Sequence, residues 1–85
     1  MSKLRIIGLL ITDRIKEAGR VQEVLTKYAH IIKSRLGFHE VSESICSRVG
    51  FIIIQVVGTG EDFENFYKEL GEIGGVEVQQ MVFHY

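Results

Sequence analysis

The sequence predicts one domain of the α+β class: a four-stranded antiparallel sheet with two helices on one face, in the order β-α-β-β-α-β. Two runs, residues 4–11 and 48–60, are apolar on both strand faces, which is typical of central strands. Two other segments carry apolar residues at helical spacing. The remaining two alternate apolar and polar residues, as edge strands do. With right-handed crossovers, this order places the first and third strands in the middle of the sheet.

The composition excludes several classes of protein. At 85 residues, with 46% hydrophobic and 25% charged residues, the chain fits one small globular domain. A formal net charge of −1 argues against binding a nucleic-acid backbone directly. The single cysteine, Cys46, cannot form an internal disulfide and suits a reducing compartment. No apolar run has the length of a membrane span and no secretory cleavage pattern is present, so we expect a cytoplasmic protein without a membrane partner.

The two central strands need a covering layer on both sides. In residues 48–60 one face carries Ile52, Ile54 and Val56, and the other carries Phe51, Ile53 and Val57, with Gln55 as the polar member. In residues 4–11 the faces are Leu4, Ile6 and Leu10 on one side and Ile7, Leu9 and Ile11 on the other. A strand with one face in water would alternate apolar and polar residues instead.

The first helix is predicted to begin at Thr12 and Asp13, whose side chains can accept hydrogen bonds from the free amides of a first turn. The predicted apolar stripe is Ala18, Val21, Leu25 and Tyr28, with Val24 beside it, and the predicted solvent face is Lys16, Glu17, Arg20, Glu23 and Lys27. This one-sided pattern is that of a helix packed on a sheet.

The second helix has the clearest periodicity in the chain. Residues 59–62, Thr-Gly-Glu-Asp, match a capping pattern in which Thr59 caps the helix and the acid three residues later reaches back to it. The stripe that follows is Phe63, Phe66, Tyr67, Leu70 and Ile73. Gly74 and Gly75 are predicted to end the helix.

The edge strands are predicted over residues 31–36, ending at Gly37, and over residues 76–85. Residues 38–47 are rich in serine and glutamate and are interpreted as a hairpin that leads into the central strand. Two helices cover one face of a sheet, so a second copy of the chain must cover the other. We therefore expect a homo-oligomer, either a dimer or a tetramer.

Three segments together resemble one known family. They are VQEVLTKY at residues 21–28, IKSRLG at residues 32–37 and LGEIGGVEV at residues 70–78. With the apolar run that ends in a glycine between them, they resemble the iron-only hydrogenase system regulators over nearly the whole chain. The resemblance implies a ferredoxin-like domain, similar in shape to amino-acid-sensing ACT domains and to the metal-sensing half of nickel-responsive repressors. It also implies a regulatory role in a hydrogenase system.

The similarity to nickel repressors does not extend to their metal ligands. Ser42 and Ser44 stand where such repressors have two histidines, and Gly50 stands where they have a cysteine. The potential ligands of this chain, His30, His39, His84 and Cys46, are scattered along the sequence. We expect no metal site and no cofactor.

The similarity to ACT domains implies an effector site at the turn after the first strand, Thr12, Asp13 and Arg14. Helix N-termini attract carboxylates, Asp13 fits an amine, and Arg14 fits a carboxylate. The glycine that usually opens this turn in ACT domains is missing. The alternative is that Thr12 and Asp13 only cap the helix.

Arg35 and Arg48 lie on adjacent predicted strands and are a further candidate effector site. Two guanidinium groups that met across the hairpin would attract an anion. Alternatively, each arginine pairs with a nearby acid, Glu40 or Glu43.

Three classes of function follow. The first is a non-catalytic regulatory domain that oligomerises and binds a small effector or a protein partner. The second is a small cofactor-free enzyme, in which His39, His84 or Tyr85 acts as acid or base. The third is a purely structural assembly module. We expect the first, because no set of residues specifies a reaction.

Overall fold

A computed structural model describes residues 3–41, 46–57 and 60–85, without the side chains at 14, 15, 38–41 and 46–48. The elements are β1 (Lys3–Ile11), α1 (Arg14–Lys27), β2 (Ile32–Val41), β3 (Cys46–Val56), α2 (Glu61–Gly71) and β4 (Val76–His84). A short 3₁₀ turn, Ala29–Ile31, joins α1 to β2. The predicted order of strands and helices is confirmed.

The sheet has the strand order β2-β3-β1-β4, and all neighbouring strands are antiparallel. β1 and β3 are therefore central, as the two doubly apolar runs predicted. Ile7 on β1 lies opposite Ile54 on β3 and opposite Gln80 on β4. The register of β4 with β1 runs without a shift over the whole of β4.

The core lies between the helices and one face of the sheet. Residues from both central strands and both helices are fully buried there, namely Ile7, Leu9, Ile54, Val56, Val21, Leu25, Phe63, Phe66 and Leu70. The stripe of α2 is thus confirmed for Phe63, Phe66 and Leu70, with Tyr67 half-buried. Ile73 is buried too but follows the helix, which ends at Gly71 and not at the predicted Gly74 and Gly75. Burying aliphatic and aromatic side chains at about 1.5–3 kcal/mol each supplies the main stabilisation of the fold.

Along α1, the predicted stripe and solvent face need one correction. Ala18 is exposed, and Glu17, predicted to face solvent, is only 6% exposed. The stripe begins one residue earlier because Glu17, Val21 and Leu25 are four residues apart and lie on one helix face. The Glu17 carboxylate is paired with Arg20 Nη1 at 3.3 Å, which offsets part of the cost of burying its charge.

The start of α2 differs from the predicted capping pattern. The N-cap is Gly60, with φ of 70°, and no side chain caps the helix there. Thr59 lies outside the described residues. Gly60 takes the position because its left-handed backbone conformation is strained for residues with a Cβ. Its carbonyl accepts the first helical hydrogen bond, from Glu64 N at 3.1 Å.

β2 is longer than predicted and forms an arm with β3. It passes through Gly37, which pairs with Ile52, and continues to Val41, which pairs with Cys46. The pairing of β2 with β3 thus forms the two strands of the predicted hairpin. Its turn, residues 42–45, lies outside the described residues. The last pair of β1 with β3 is Ile11 with Gly50, so the arm extends past the end of β1. The molecule is 49 Å in its longest dimension.

Arg5 of β1 is a charged residue on the helix face of the sheet. Its guanidinium carbon is 3.9 Å from the centre of the Phe63 ring, a cation–π contact. Its Nε is buried and has no hydrogen-bond partner among the described residues. Among the described residues, the Phe63 ring is therefore the contact that stabilises the charge of Arg5.

The turn after β1 is closed by the segment that precedes β4. Thr12 N and Thr12 Oγ1 both donate to the carbonyl of Gly75, at 2.9 and 3.0 Å. Gly75 has φ of 76°, and a Cβ built there would lie 3.0 Å from Thr12 Oγ1. Both the backbone conformation and the close approach require glycine at this position.

The two helices are joined by a polar contact at the end of α1. The Tyr28 hydroxyl donates to the Glu69 carboxylate, which also accepts from Lys27 Nζ at 3.0 Å. The Tyr28 ring packs on Phe66 with centroids 5.2 Å apart. The hydrogen bond to Glu69, followed by burial, raises the pKa of Tyr28 to about 12, and the same bond is the main reason that the pKa of Glu69 is lowered.

We predict that Gly75→Ala destabilises the fold by at least about 2 kcal/mol, because alanine is strained at positive φ and its Cβ crowds Thr12. The matched control is Gly74→Ala, since a Cβ at Gly74 meets no atom within 4 Å. The control is expected to stay within about 0.5 kcal/mol of the wild type. Urea denaturation checks both, and equal effects of the two substitutions would contradict the account of the junction.

We predict that Tyr28→Phe removes a pH-dependent part of the stability. Since the pKa of folded Tyr28 is raised from 10.0 to about 12, its contribution is full below pH 10 and is lost as pH rises through about 12. The lowered pKa of Glu69 gives a contribution that is present above its ordinary value of 4.5 and is lost as pH falls. Both slopes should flatten in the variant.

The measurement is the thermal midpoint as a function of pH. Tyr85→Phe is the matched control, because it removes one phenol from an exposed position at the end of the chain. If Tyr28→Phe and Tyr85→Phe had the same pH profile, the contact with Glu69 would have no role in stability.

Candidate functional site

The sheet surface opposite the helices, which we call the open face, is the largest candidate site. The pairing register assigns to it Leu4, Ile6, Gly8 and Leu10 of β1, Ser34 and Leu36 of β2, Val49, Phe51, Ile53 and Gln55 of β3, and Glu77, Gln79, Met81 and Phe83 of β4. These residues alternate with the core residues along each strand, so their side chains lie on the opposite face of the sheet. The open face is the second apolar face that the sequence predicted.

Large apolar side chains on the open face remain in contact with solvent. Leu36 is 59% exposed and Met81 57% exposed, and Leu10, Val49, Phe51, Ile53 and Phe83 are also exposed. Single exposed apolar residues are common on protein surfaces, but a contiguous apolar patch marks a site of interaction. The described chain has no element that covers this patch.

A shallow groove of about 370 Å³ runs across the open face above Gly8. Its apolar lining is Ile6, Gly8, Leu10, Phe51, Ile53 and Met81, and its polar side is Glu77, Gln79 and Gln80 of β4. The groove exists because Gly8 has no side chain while its neighbours along β1 and across on β3 do. Among the residues that the structure describes, no histidine lines it.

The two outer strands add polar side chains to the open face beside the apolar Leu36, Met81 and Phe83. On β4 the Gln79 amide donates to the Glu77 carboxylate at 2.6 Å. On the other side the Ser34 hydroxyl donates to the Gln55 amide oxygen at 3.2 Å. Protein interfaces likewise combine apolar contacts with hydrogen-bonding groups.

The turn proposed as an effector site has its polar groups engaged within the chain. The Asp13 carboxylate accepts a hydrogen bond from Lys16 N at 3.2 Å and caps α1, and Thr12 is bonded to Gly75. The side chain of Arg14 lies outside the described residues. Asp13 therefore makes the contact expected of the helix-capping alternative, whereas the hydrogen bonds described for Thr12 go to Gly75 and not to the helix.

The strand register does not place the backbones of Arg35 and Arg48 opposite each other across the hairpin. Arg35 lies opposite Ile54, which is six residues from Arg48 along β3, or about 20 Å at the strand rise. Arg35 Nη1 instead donates to the Gln22 amide oxygen on α1 at 3.0 Å. The side chains of Arg48 and Glu40 and all of Glu43 lie outside the described part of the chain.

The backbone nevertheless places position 48 near the first turn. Ile11, the residue before Thr12, pairs with Gly50, so position 48 on β3 and the turn at Thr12 and Asp13 lie at the same end of the sheet. Of the two arginine positions considered, Arg48 is thus the one that the topology brings toward the turn.

The two histidines whose side chains are described do not form a common centre. His30 Nε2 lies 3.1 Å from the Asp62 carboxylate, next to the start of β2. His84 lies at the end of β4, on the other edge of the sheet. Within residues 3–41, 46–57 and 60–85, no three His, Cys, Asp or Glu side chains are placed to hold a metal ion. The side chains of His39 and Cys46 are outside that description.

Sequence reasoning missed two residues that shape these sites. Glu17 was assigned to solvent, although its four-residue spacing from Val21 and Leu25 was visible in the sequence. Gly8 was passed over within an apolar run, although a glycine inside a strand often marks a place where another group approaches closely.

Neither helix in the described ranges is long and apolar enough to cross a membrane.

The fold and the open face define a ferredoxin-like α+β domain with one sheet surface uncovered. More particularly, the chain belongs to the TM1266-like family, described as "Iron-only hydrogenase system regulator, putative", whose model matches residues 3–80. The family assignment from residues 21–28, 32–37 and 70–78 is confirmed. No curated protein matches the chain.

Two solved structures share the fold. Uncharacterized protein TM1266 from Thermotoga maritima is 24% identical, with 98% of this chain and 100% of that chain covered and a TM-score of 0.81. CPII from Thiomonas intermedia K12, in a structure bound to ADP, AMP and acetate, is 11% identical, with 99% and 91% covered and a TM-score of 0.53. At these identities the likeness establishes the fold alone, and family membership is what supports a regulatory role.

Proposed function

We propose that the chain is a non-catalytic regulatory domain of a hydrogenase system that oligomerises through the open face and binds a small effector or a protein partner. Family membership supports the regulatory part. The observation that carries the assembly part is the set of exposed apolar side chains on the open face, above all Leu36, Phe51 and Met81. A surface of this kind gains free energy when a second copy removes it from water.

The size of the open face fits a homo-oligomeric contact. Four strands about 4.8 Å apart, each about seven residues long at about 3.3 Å per residue, give a projected area of roughly 440 Å². A corrugated surface has a larger accessible area than its projection, and a standard interface buries about 800 Å² per partner. The arm of β2 and β3 lengthens the same face beyond β1, so a contact of ordinary size is available.

A regulatory domain is favoured over a cofactor-free enzyme by the placement of two of the three candidate acids and bases, since the side chain of His39 lies outside the described residues. His84 and Tyr85 are exposed at the end of β4, outside the groove above Gly8. General acid–base catalysis needs such a group within hydrogen-bond reach of an enclosed substrate. The family description is likewise that of a regulator and names no reaction.

For the small effector, the turn at Thr12 and Asp13, with Arg14 and the nearby position Arg48, is the proposed location. A helix N-terminus and two cationic side chains would suit a carboxylate, and Asp13 an amine. An amino acid carries both groups. Arg35 is left out of this proposed site because the register separates it from Arg48.

The assembly is tested by placing charge on the open face. In Leu36→Glu/Met81→Glu, both substituted side chains are more than half exposed within one chain, so the fold should persist. An interface would have to bury the new carboxylates unpaired, at a cost of several kcal/mol. We expect the wild type to have the light-scattering mass of a dimer or tetramer, and the variant that of a single 9.7 kDa chain.

The matched control is Thr26→Glu/Asn65→Glu, which adds the same charge at exposed positions on α1 and α2. It should keep the wild-type mass, and circular dichroism should show all three proteins folded. A wild type that scatters as one chain at micromolar concentration, or a charged open-face variant with unchanged mass, would sink the assembly proposal.

The effector site is tested by thermal shift with single amino acids and single nucleotides. A ligand at 100 times its Kd stabilises the folded state by about 2.7 kcal/mol. Asp13→Asn keeps a capping side chain but removes the charge that would hold an amine, so we expect it to abolish the shift with little change in basal stability. Asp13→Ala should in addition lose about 1 kcal/mol as a broken cap.

If no compound in the panel moved the wild-type midpoint, the small-effector part would be wrong. The remaining possibility would then be a protein partner. A shift that survived in Asp13→Asn would place the ligand elsewhere on the molecule.

A further inference from the structure

Gly8 has no explanation within a single chain. It lies in the interior of β1, where glycine is a poor strand former and contributes nothing to packing. Its φ is not positive, and a Cβ built on it would meet no atom within 4 Å. Neither backbone conformation nor intramolecular crowding therefore requires glycine here. What a side chain at this position would obstruct is the space above the open face.

Gly8 and Ile53 stand together at the centre of the open face. They are directly paired, and the same row continues to Leu36 on β2 and Gln79 on β4. Ile53 is 37% exposed and borders the groove above Gly8. A protrusion and a depression thus lie side by side, one on each central strand.

Two-fold symmetry restricts how two such faces can meet. In an isologous dimer whose sheets stack face to face, the axis lies in the plane between the sheets. Suppose that the axis runs along the strands, midway between β1 and β3. Each β1 residue then faces, on the partner's β3, the copy of the residue with which it pairs in its own sheet. Gly8 then faces the partner's Ile53, and Leu10 faces the partner's Phe51.

The other in-plane axis, across the strands, gives a poorer contact. It sets β1 against the partner's β1 and, where the axis passes through the row of Gly8, brings the two depressions together. The cavity that results would leave its lining atoms without partners, which is unfavourable at a close-packed interface. The twist between stacked sheets, about 30°, displaces the outer strands most and the central row least.

We propose that the chain forms an isologous face-to-face dimer in which Ile53 of each copy enters the groove above Gly8 of the other. This rests on the proposed assembly through the open face, and it assigns the occupant of the groove as a residue of the partner copy. Each copy supplies both the protrusion and the depression, so two equivalent contacts form per dimer. A side chain at position 8 would block both of them.

The test exchanges the two shapes. Gly8→Val fills the depression, Ile53→Ala removes the protrusion, and Gly8→Val/Ile53→Ala moves the protrusion from β3 to β1. We expect each single substitution to raise the dimer Kd at least tenfold. The double variant is expected to recover to within about threefold of the wild type, far from the product of the single effects. Sedimentation equilibrium over a dilution series measures the four constants.

Folding is monitored separately, because Gly8→Val meets no atom of its own chain. Its thermal midpoint at concentrations where it is monomeric should equal or exceed that of the monomeric wild type, since valine favours strands. Gly8→Ala, with a smaller side chain, is the second variant if Gly8→Val is poorly folded, and it should show a weaker loss in the same direction. Gly37→Val is the matched control: Gly37 is also an extended sheet glycine with open space around it, but it lies on the other face.

The outcomes separate this proposal from the assembly proposal. The contact between Ile53 and the groove is overturned if the wild type associates and Gly8→Val associates equally well. It is also overturned if the dimer of the double variant is weakened by the two single effects combined. Either result leaves the open-face assembly standing. A wild type that never associates overturns both. Unchanged association in Gly8→Val, together with loss of fluorescence from a bound anilinonaphthalene sulfonate dye, would assign the groove to a small apolar ligand instead.

Discussion

The structure depends on the burial of two central strands that are apolar on both faces. β1 and β3 can be covered on one side by α1 and α2, and this produces the core around Ile7, Ile54 and Phe66. Both helices are used on that side, so the described chain leaves Leu10, Phe51 and Ile53 in solvent. A chain of this length buries only about 60–65% of its unfolded surface, and it gains most from a partner that buries the rest. This gain in burial is the reason that we propose the open face as the functional surface of the domain.

Much of the fold was predictable because periodicity records which side of an element faces the core. The all-apolar runs placed β1 and β3 in the centre, and the spacing of Phe63, Phe66 and Leu70 defined α2. Periodicity says less about where a helix or strand begins and ends, and about polar residues that are buried on an apolar face. Glu17 is buried beside Arg20, and α2 begins at Gly60 without a side-chain cap. Such details depend on where the chain enters an element, and local composition does not determine that.

The candidate site was predictable as a surface but not as a set of contacts. The open face was predictable because the central strands have two apolar faces and the helices cover only one. Whether Arg35 lies opposite Arg48 depends on the strand register, which the sequence did not reveal. The register in fact sets Arg35 opposite Ile54 and leaves Arg48 near the first turn. Gly8 illustrates the opposite case, in which a residue gains meaning only from its paired neighbour. In the function proposed, the open face and the first turn would join assembly to ligand binding, since one lies on β1 and the other directly follows it.

The central claim is that a second copy of the chain covers the open face and excludes water from it in the functional protein. The mass of the unmodified chain in sedimentation equilibrium, followed from tens of micromolar downward, tests it most directly. The account predicts a particle of at least two chains at the upper concentrations, with dissociation on dilution if it occurs at all. A homogeneous particle of 9.7 kDa at every concentration would contradict it.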